Sequence, residues 1–128
     1  MVWITTNSCK QNSEKSALEM YIQPYIKNNP QHLLIVPQVY CRSCINLLFT
    51  HVQNKNIKEN TSILFLEVGG NFTLPEGIMT DKFSNYYAKI KNKNTDLIWV
   101  QLNHNKITNY QRLSSLQFHE NLVRWIKN

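Results

Sequence analysis

His32-Leu33-Leu34-Ile35-Val36-Pro37-Gln38-Val39-Tyr40-Cys41-Arg42-Ser43-Cys44 is the stretch on which the fold turns. Asn28-Asn29-Pro30 stops whatever precedes it, and residues 32–36 then form a short continuous apolar run, the pattern of a strand buried on both faces. Two cysteines follow a few residues later, and Cys44, Leu47, Leu48, Phe49 and Val52 recur at three- and four-residue spacings, so the dithiol opens a helix. That helix fades in the polar stretch from Asn54 to Asn60. Ser62-Ile63-Leu64-Phe65-Leu66-Glu67-Val68 then reads as a second buried strand, ended by Gly69-Gly70. Strand, helix and strand of this length make a βαβ unit, whose strands are expected to be parallel and its crossover right-handed.

Working outward, Leu18, Ile22, Tyr25 and Ile26 predict a first helix over about 13–28, with Ser16 and Glu19 as a capping box and Pro24 bending or interrupting it. Downstream, Thr80 is expected to cap a helix through Phe83, Tyr86, Tyr87 and Ile90, which share one apolar face. Leu97 to Leu102 and Ile107 to Leu113 flank the turn Asn103-His104-Asn105-Lys106 and predict a β-hairpin. Ser114 with Gln117 caps a last helix whose Phe118, Leu122, Trp125 and Ile126 face inward. The expected element order is α-βαβ-α-ββ-α, an α/β protein with a mixed four-stranded sheet, and no internal repeat is present. Residues 16–128 form the expected domain and residues 1–15 a polar tether or signal remnant.

Composition narrows the class. A chain of 128 residues, 42% hydrophobic and 17% charged, has room for one domain with a packed core. Three Gly, four Pro and a spread of three Trp, six Tyr and five Phe argue against disordered or low-complexity chains. No apolar run approaches the 18 or more residues of a transmembrane helix. Fourteen Lys and Arg against eight Asp and Glu give a net charge of +6. The basic residues are mostly single lysines among asparagines, without the aromatic interleaving of a base-stacking platform, so a solvated Lys/Asn-biased surface is expected and no nucleic-acid partner. Cys9, in Thr6-Asn7-Ser8-Cys9-Lys10-Gln11, looks like the processed end of a bacterial lipoprotein. Met1 to Ser8 carries no basic region and no long apolar run, and so reads as at most the tail of a signal that begins upstream. The alternative for Cys9 is a free thiol in a frayed terminus.

Cys-x-x-Cys at the mouth of a βαβ helix, followed by helix, hairpin and C-terminal helix, resembles the thioredoxin fold over about 30–128. Leu33-Leu34-Ile35-Val36 looks like the central strand, Tyr40-Cys41-Arg42-Ser43-Cys44 like the active-site stretch, and Leu97 to Leu113 like the closing hairpin. The chain is most similar to the TlpA-like or redoxin-like thiol-disulfide oxidoreductases of bacterial envelopes. That resemblance implies a thioredoxin-like three-layer α/β/α sandwich, a redox partner protein, no cofactor, a monomer, and an envelope or periplasmic setting with Cys9 as candidate lipid attachment. Without that anchor a cytoplasmic setting is the alternative. The family's cis-proline before the hairpin has no counterpart, because no proline follows Pro75 and residues near Asp96 and Leu97 stand in its place. Nor does Ile35 or Val36 supply the buried acid of many thioredoxins, so substrate binding or proton handling is expected to differ.

Disulfide exchange needs a thiolate, a second thiol close enough to resolve the mixed disulfide, and an exposed position. Cys41 at a helix start, beside Arg42, is expected to have a pKa below the free value of about 8.5, with Cys44 one turn inside as the resolving thiol. Tyr40, Arg42 and Ser43 modulate the pair, Arg42-Ser43 standing where ordinary thioredoxins carry Gly-Pro. Glu67, at the carboxyl end of the second strand, is either a proton acceptor for Cys44 or a strand-end carboxylate meeting water. Two other uses of the cysteines stay open. A metal site would need Cys9 or the scattered His32, His51, His104 and His119, and His51 lies about two helical turns beyond Cys44, so no metal is expected. A redox-inactive thioredoxin-like interaction module is the other, with Tyr21, Tyr25, Tyr86, Tyr87 and Trp99 either a partner surface or core.

Overall fold

The structure is a computed structural model that describes residues 13–70, 73–90 and 95–127, with the side chains of Phe83 and Ser84 left aside. Helix α1 runs through residues 13–22 and tightens into a 3-10 turn at Gln23–Tyr25, where Pro24 lacks the amide that would continue it. Strand β1 (His32–Pro37), helix α2 (Arg42–Gln53) and strand β2 (Thr61–Glu67) follow as expected. β1 and β2 pair in parallel from His32 opposite Thr61 to Pro37 opposite Leu66. Strand β3 (Met79–Lys82), helix α3 (Phe83–Ile90), strands β4 (Leu97–Asn103) and β5 (Lys106–Leu113) and helix α4 (Ser115–Leu122) complete the chain.

The coarse expectation of a mixed α/β protein holds, and the strand count is corrected. The sheet has five strands in the order β3-β2-β1-β4-β5, because β3 pairs in parallel with the outer edge of β2. Thr80 therefore lies inside a strand, opposite Phe65, and not at a helix cap. Ser16 and Glu19 form no capping box either, since α1 already runs through residue 13. Glu19 instead accepts a 2.9 Å hydrogen bond from the Ile107 amide and ties α1 to the hairpin. The Ser114–Gln117 capping box is present, but α4 stops at Leu122, and Trp125 is buried from the turn beyond it.

Alternation along the strands sends side chains to two cores. Leu34, Val36, Ile63 and Phe65 pack under α2 and α4 with Cys44, Leu48 and Phe118. Leu33, Ile35, Leu64 and Leu66 pack under α1 and α3 with Leu18, Ile22 and Tyr86. β1 is thus covered on both faces, which is why its sequence reads as an unbroken apolar run. β4 runs antiparallel to β1 and β5 antiparallel to β4, so the carboxyl ends of β1, β2 and β5 and the start of α4 share one end of the sheet. His104 and Asn105 make the hairpin turn, both at positive φ (51° and 66°), the conformation a two-residue hairpin demands.

Candidate dithiol site

Helix α2 begins without a Ser, Thr, Asp or Asn cap. Cys41 takes the N-cap position, and its Sγ accepts a 3.3 Å hydrogen bond from the Cys44 amide, the bond that a capping oxygen would accept elsewhere. The Ile45 amide donates to the Cys41 carbonyl at 3.0 Å and closes the first turn. This geometry brings the Cys41 and Cys44 sulfurs within disulfide distance, with Cα atoms 5.2 Å apart. Ser43 Oγ lies 3.2 Å from Cys41 Sγ. The two cysteines differ in access: Cys44 is 1% exposed, among Val36, Ile45 and Leu48, whereas Cys41 is half-buried at the surface.

Cys41 Sγ sits at the start of α2, where the free amides of a helix concentrate partial positive charge. The first turn of α2 holds no acidic residue that would oppose it. Arg42 is exposed, as is Ser43. Tyr40 is buried against Phe118, with ring centroids 6.1 Å apart, and donates its hydroxyl to the Ser114 carbonyl at 3.1 Å. Burial first, and the negative charge of Asp96 second, push the Tyr40 phenol up to about 12, so it remains a neutral donor that ties the dithiol loop to the start of α4. Glu67 is half-buried at the end of β2. It shares the parity of Ile63 and Phe65, which places it on the sheet face that α2 covers.

The sequence did not point to Gln38, which organises this end of the molecule. Its amide donates to the Leu66 carbonyl at 3.0 Å, its Oε1 accepts from the amides of Val68 (2.6 Å) and Gly69 (3.2 Å), and its Nε2 donates to the Gly69 carbonyl at 3.3 Å. The loop that carries Cys41 and the loop that leaves β2 are therefore held together by one side chain. Nothing periodic marks such a residue, although Gly69-Gly70 signalled a turn beside it. Val39 and Val68, more than half exposed, lie in those two loops, and Leu116, 92% exposed, stands in the first turn of α4 at the same end of the sheet.

Other candidates fall elsewhere. Cys9 lies outside the described residues, as do the remaining positions of the expected tether up to residue 12. His51 stands at the far end of α2 from the dithiol, and among the described residues no group of three or more His, Cys, Asp and Glu side chains is placed to hold a metal ion. Of the aromatic residues weighed as a partner surface, Tyr21, Tyr86 and Trp99 are buried core. Among the described residues no helix is long and apolar enough to cross a membrane. Comparison with protein-family models, with curated proteins and with solved structures gave no match for this chain.

Proposed function

We propose that this protein is a thioredoxin-like thiol-disulfide oxidoreductase that exchanges two electrons with a partner protein through Cys41 and Cys44. The observation that carries the reading is a Cys-x-x-Cys pair at a strand-to-helix junction, with the half-buried Cys41 capping the helix and its buried companion within disulfide distance. In the reducing direction the Cys41 thiolate attacks a partner disulfide. The bond between Cys41 Sγ and one partner sulfur forms as the partner's S–S bond breaks, and the second partner sulfur leaves as a thiolate. Cys44 then gives up its proton and attacks Cys41 Sγ, which closes the intramolecular disulfide and releases the first partner sulfur. Two electrons pass to the partner and two protons follow. Glu67, on the face and at the end where Cys44 deprotonates, is the proposed proton acceptor.

Val39, Val68 and Leu116 supply an apolar rim on which a partner segment can rest while its sulfur meets Cys41. Arg42 and Ser43 set the poise of the pair, Ser43 by donating its hydroxyl to the Cys41 thiolate. A bacterial envelope setting, with Cys9 as lipid anchor, belongs to the same reading, as does action as a monomer. The alternative, a redox-inactive thioredoxin-like interaction module, draws on Asp96 immediately before β4, where the family has its proline.

Mixed-disulfide trapping tests the proposal. A Cys44→Ser variant incubated with a protein disulfide such as that of insulin is expected to retain a covalent adduct through Cys41, and a Cys41→Ser variant to form none. Absence of any adduct at Cys41 in folded Cys44→Ser protein would transfer the assignment to the interaction module.

A further inference from the structure

The end of the sheet opposite the dithiol is held by backbone contacts that leave its lysine side chains unengaged. Beyond α2, the amides of Asn54, Lys55 and Asn56 return to the carbonyls of Thr50, Val52 and His51 at 3.0, 3.0 and 2.8 Å, with Lys55 in the left-handed region (φ 57°). Ile57 forms an isolated bridge with Ile126, flanked by hydrogen bonds from the Lys58 amide to the Trp125 carbonyl and from the Lys127 amide to the Asn56 carbonyl. The C-terminal residues are thus fastened beside the loop that enters β2. Between them lies an open depression of about 280 Å³ whose lining includes the aliphatic side chains of Val52, Ile57, Ile63 and Ile78. Lys55, Lys58 and Lys127 also line it, against Glu59 as the single acid.

Those three ammonium groups make no ion pair or hydrogen bond among the described residues. Lys58's charge is felt nearby, since it is the largest cause after burial that holds the His32 pKa down. An apolar concavity edged by three lysines and one glutamate, a net excess of positive charge, fits a ligand with a hydrocarbon body and an anionic head. The available donors are flexible point charges, while the Lys58 and Lys127 amides are already spent on backbone partners. Among the described residues that line it there is no arginine, whose guanidinium fork a phosphate group would favour.

We propose that this depression binds a small amphipathic carboxylate, an aliphatic or aryl acid of about ten non-hydrogen atoms, with its hydrocarbon on the aliphatic residues and its head among Lys55, Lys58 and Lys127. The volume corresponds to roughly nine waters of liquid, which suits a free small molecule better than a chain embedded in a bilayer. Binding there is independent of the dithiol, and the site is legible as a site whether or not Cys41 is redox-active.

Titration of the full-length protein with octanoate, followed by amide NMR, tests it. Saturable shifts at Ile57, Lys58 and Lys127 with a Kd of about 1 mM or tighter are expected, with 1-octanol and inorganic phosphate each weaker by about tenfold or more. The double variant Lys58→Met and Lys127→Met keeps the aliphatic stems and is expected to lose about tenfold in affinity. Ile78→Glu, which puts a like charge against the carboxylate, is expected to abolish binding. Absence of saturable shifts, equal affinity for octanol, unchanged affinity in the lysine variant, or binding seen only with anionic phosphatidylglycerol vesicles would each overturn the proposal.

Discussion

The two faces of the sheet solve the same packing problem with different chemistry. Under α2 and α4 the core is apolar and aromatic, with Phe118, Trp125, Phe65 and Leu48 around the buried sulfur of Cys44. Under α1 and α3 a carboxylate is buried: Asp81, 7% exposed, accepts a hydrogen bond from the Tyr21 hydroxyl and another at 3.1 Å from the Asn85 side chain. Tyr21 in turn packs edge-on to Tyr86, with centroids 5.3 Å apart. The first face holds Cys44 of the Cys41–Cys44 pair by dense packing. The second locks an edge strand to two helices by a polar contact, because β3 is only four residues long and has no further strand beside it among the described residues. Packing is tolerant of partner and intolerant of volume, whereas a buried hydrogen-bonded group is the reverse.

Volume loss is expected to do the greatest damage on the dithiol face. Phe118→Ala removes a fully buried ring that supports Tyr40 and is expected to cost about 3–5 kcal/mol in chemical denaturation, a large share of a typical domain's stability. On the other face, Asp81→Ala leaves the Tyr21 hydroxyl buried without its acceptor and is expected to cost about 2–3 kcal/mol. Adding Tyr21→Phe to that variant is expected to recover part of the loss, and a double-mutant cycle measures the coupling. Strict additivity would show that the contact does not lock β3.

The same contact gives an alkaline signature. Burial, then the hydrogen bond to Asp81, holds the Tyr21 pKa well above its ordinary value of 10.0. Above pH 10 the unfolded chain therefore loses a proton that the folded chain keeps, and stability falls as pH rises, with a slope of up to about 1.4 kcal/mol per unit from this group. Tyr21→Phe is expected to flatten that slope in pH-dependent denaturation. The smallest effect is expected where neither mass nor charge is buried. Gln38→Ala is expected to cost about 1–2 kcal/mol and to raise hydrogen exchange selectively at the Val68 and Gly69 amides, which lose their acceptor.

How much of this the sequence disclosed follows the same division. Runs and periods are visible along a chain, so Leu33 to Val36, the Cys44 to Val52 helix, the hairpin and the Ser114–Gln117 box could all be read. Met79-Thr80-Asp81-Lys82 alternates too briefly to register as a strand, and its strand partner among the described residues is β2, so Thr80 looked like a cap. Tyr21 and Asp81 are 60 residues apart, and no local pattern joins them. Within the site, Cys41 and Cys44 were legible because chemistry fixes their spacing. Gln38 was not, since a glutamine in a loop carries no pattern until the backbone it clasps is in place.

The central claim is that Cys41 and Cys44 form a reversible redox couple. Equilibrating the purified protein in graded thiol/disulfide buffers and counting alkylated cysteines by mass spectrometry measures it directly. The account predicts one two-electron transition, lost in both Cys41→Ser and Cys44→Ser, with a potential between about −120 and −270 mV. No reversible transition in that range would contradict it and leave the dithiol a structural feature of the α2 N-terminus.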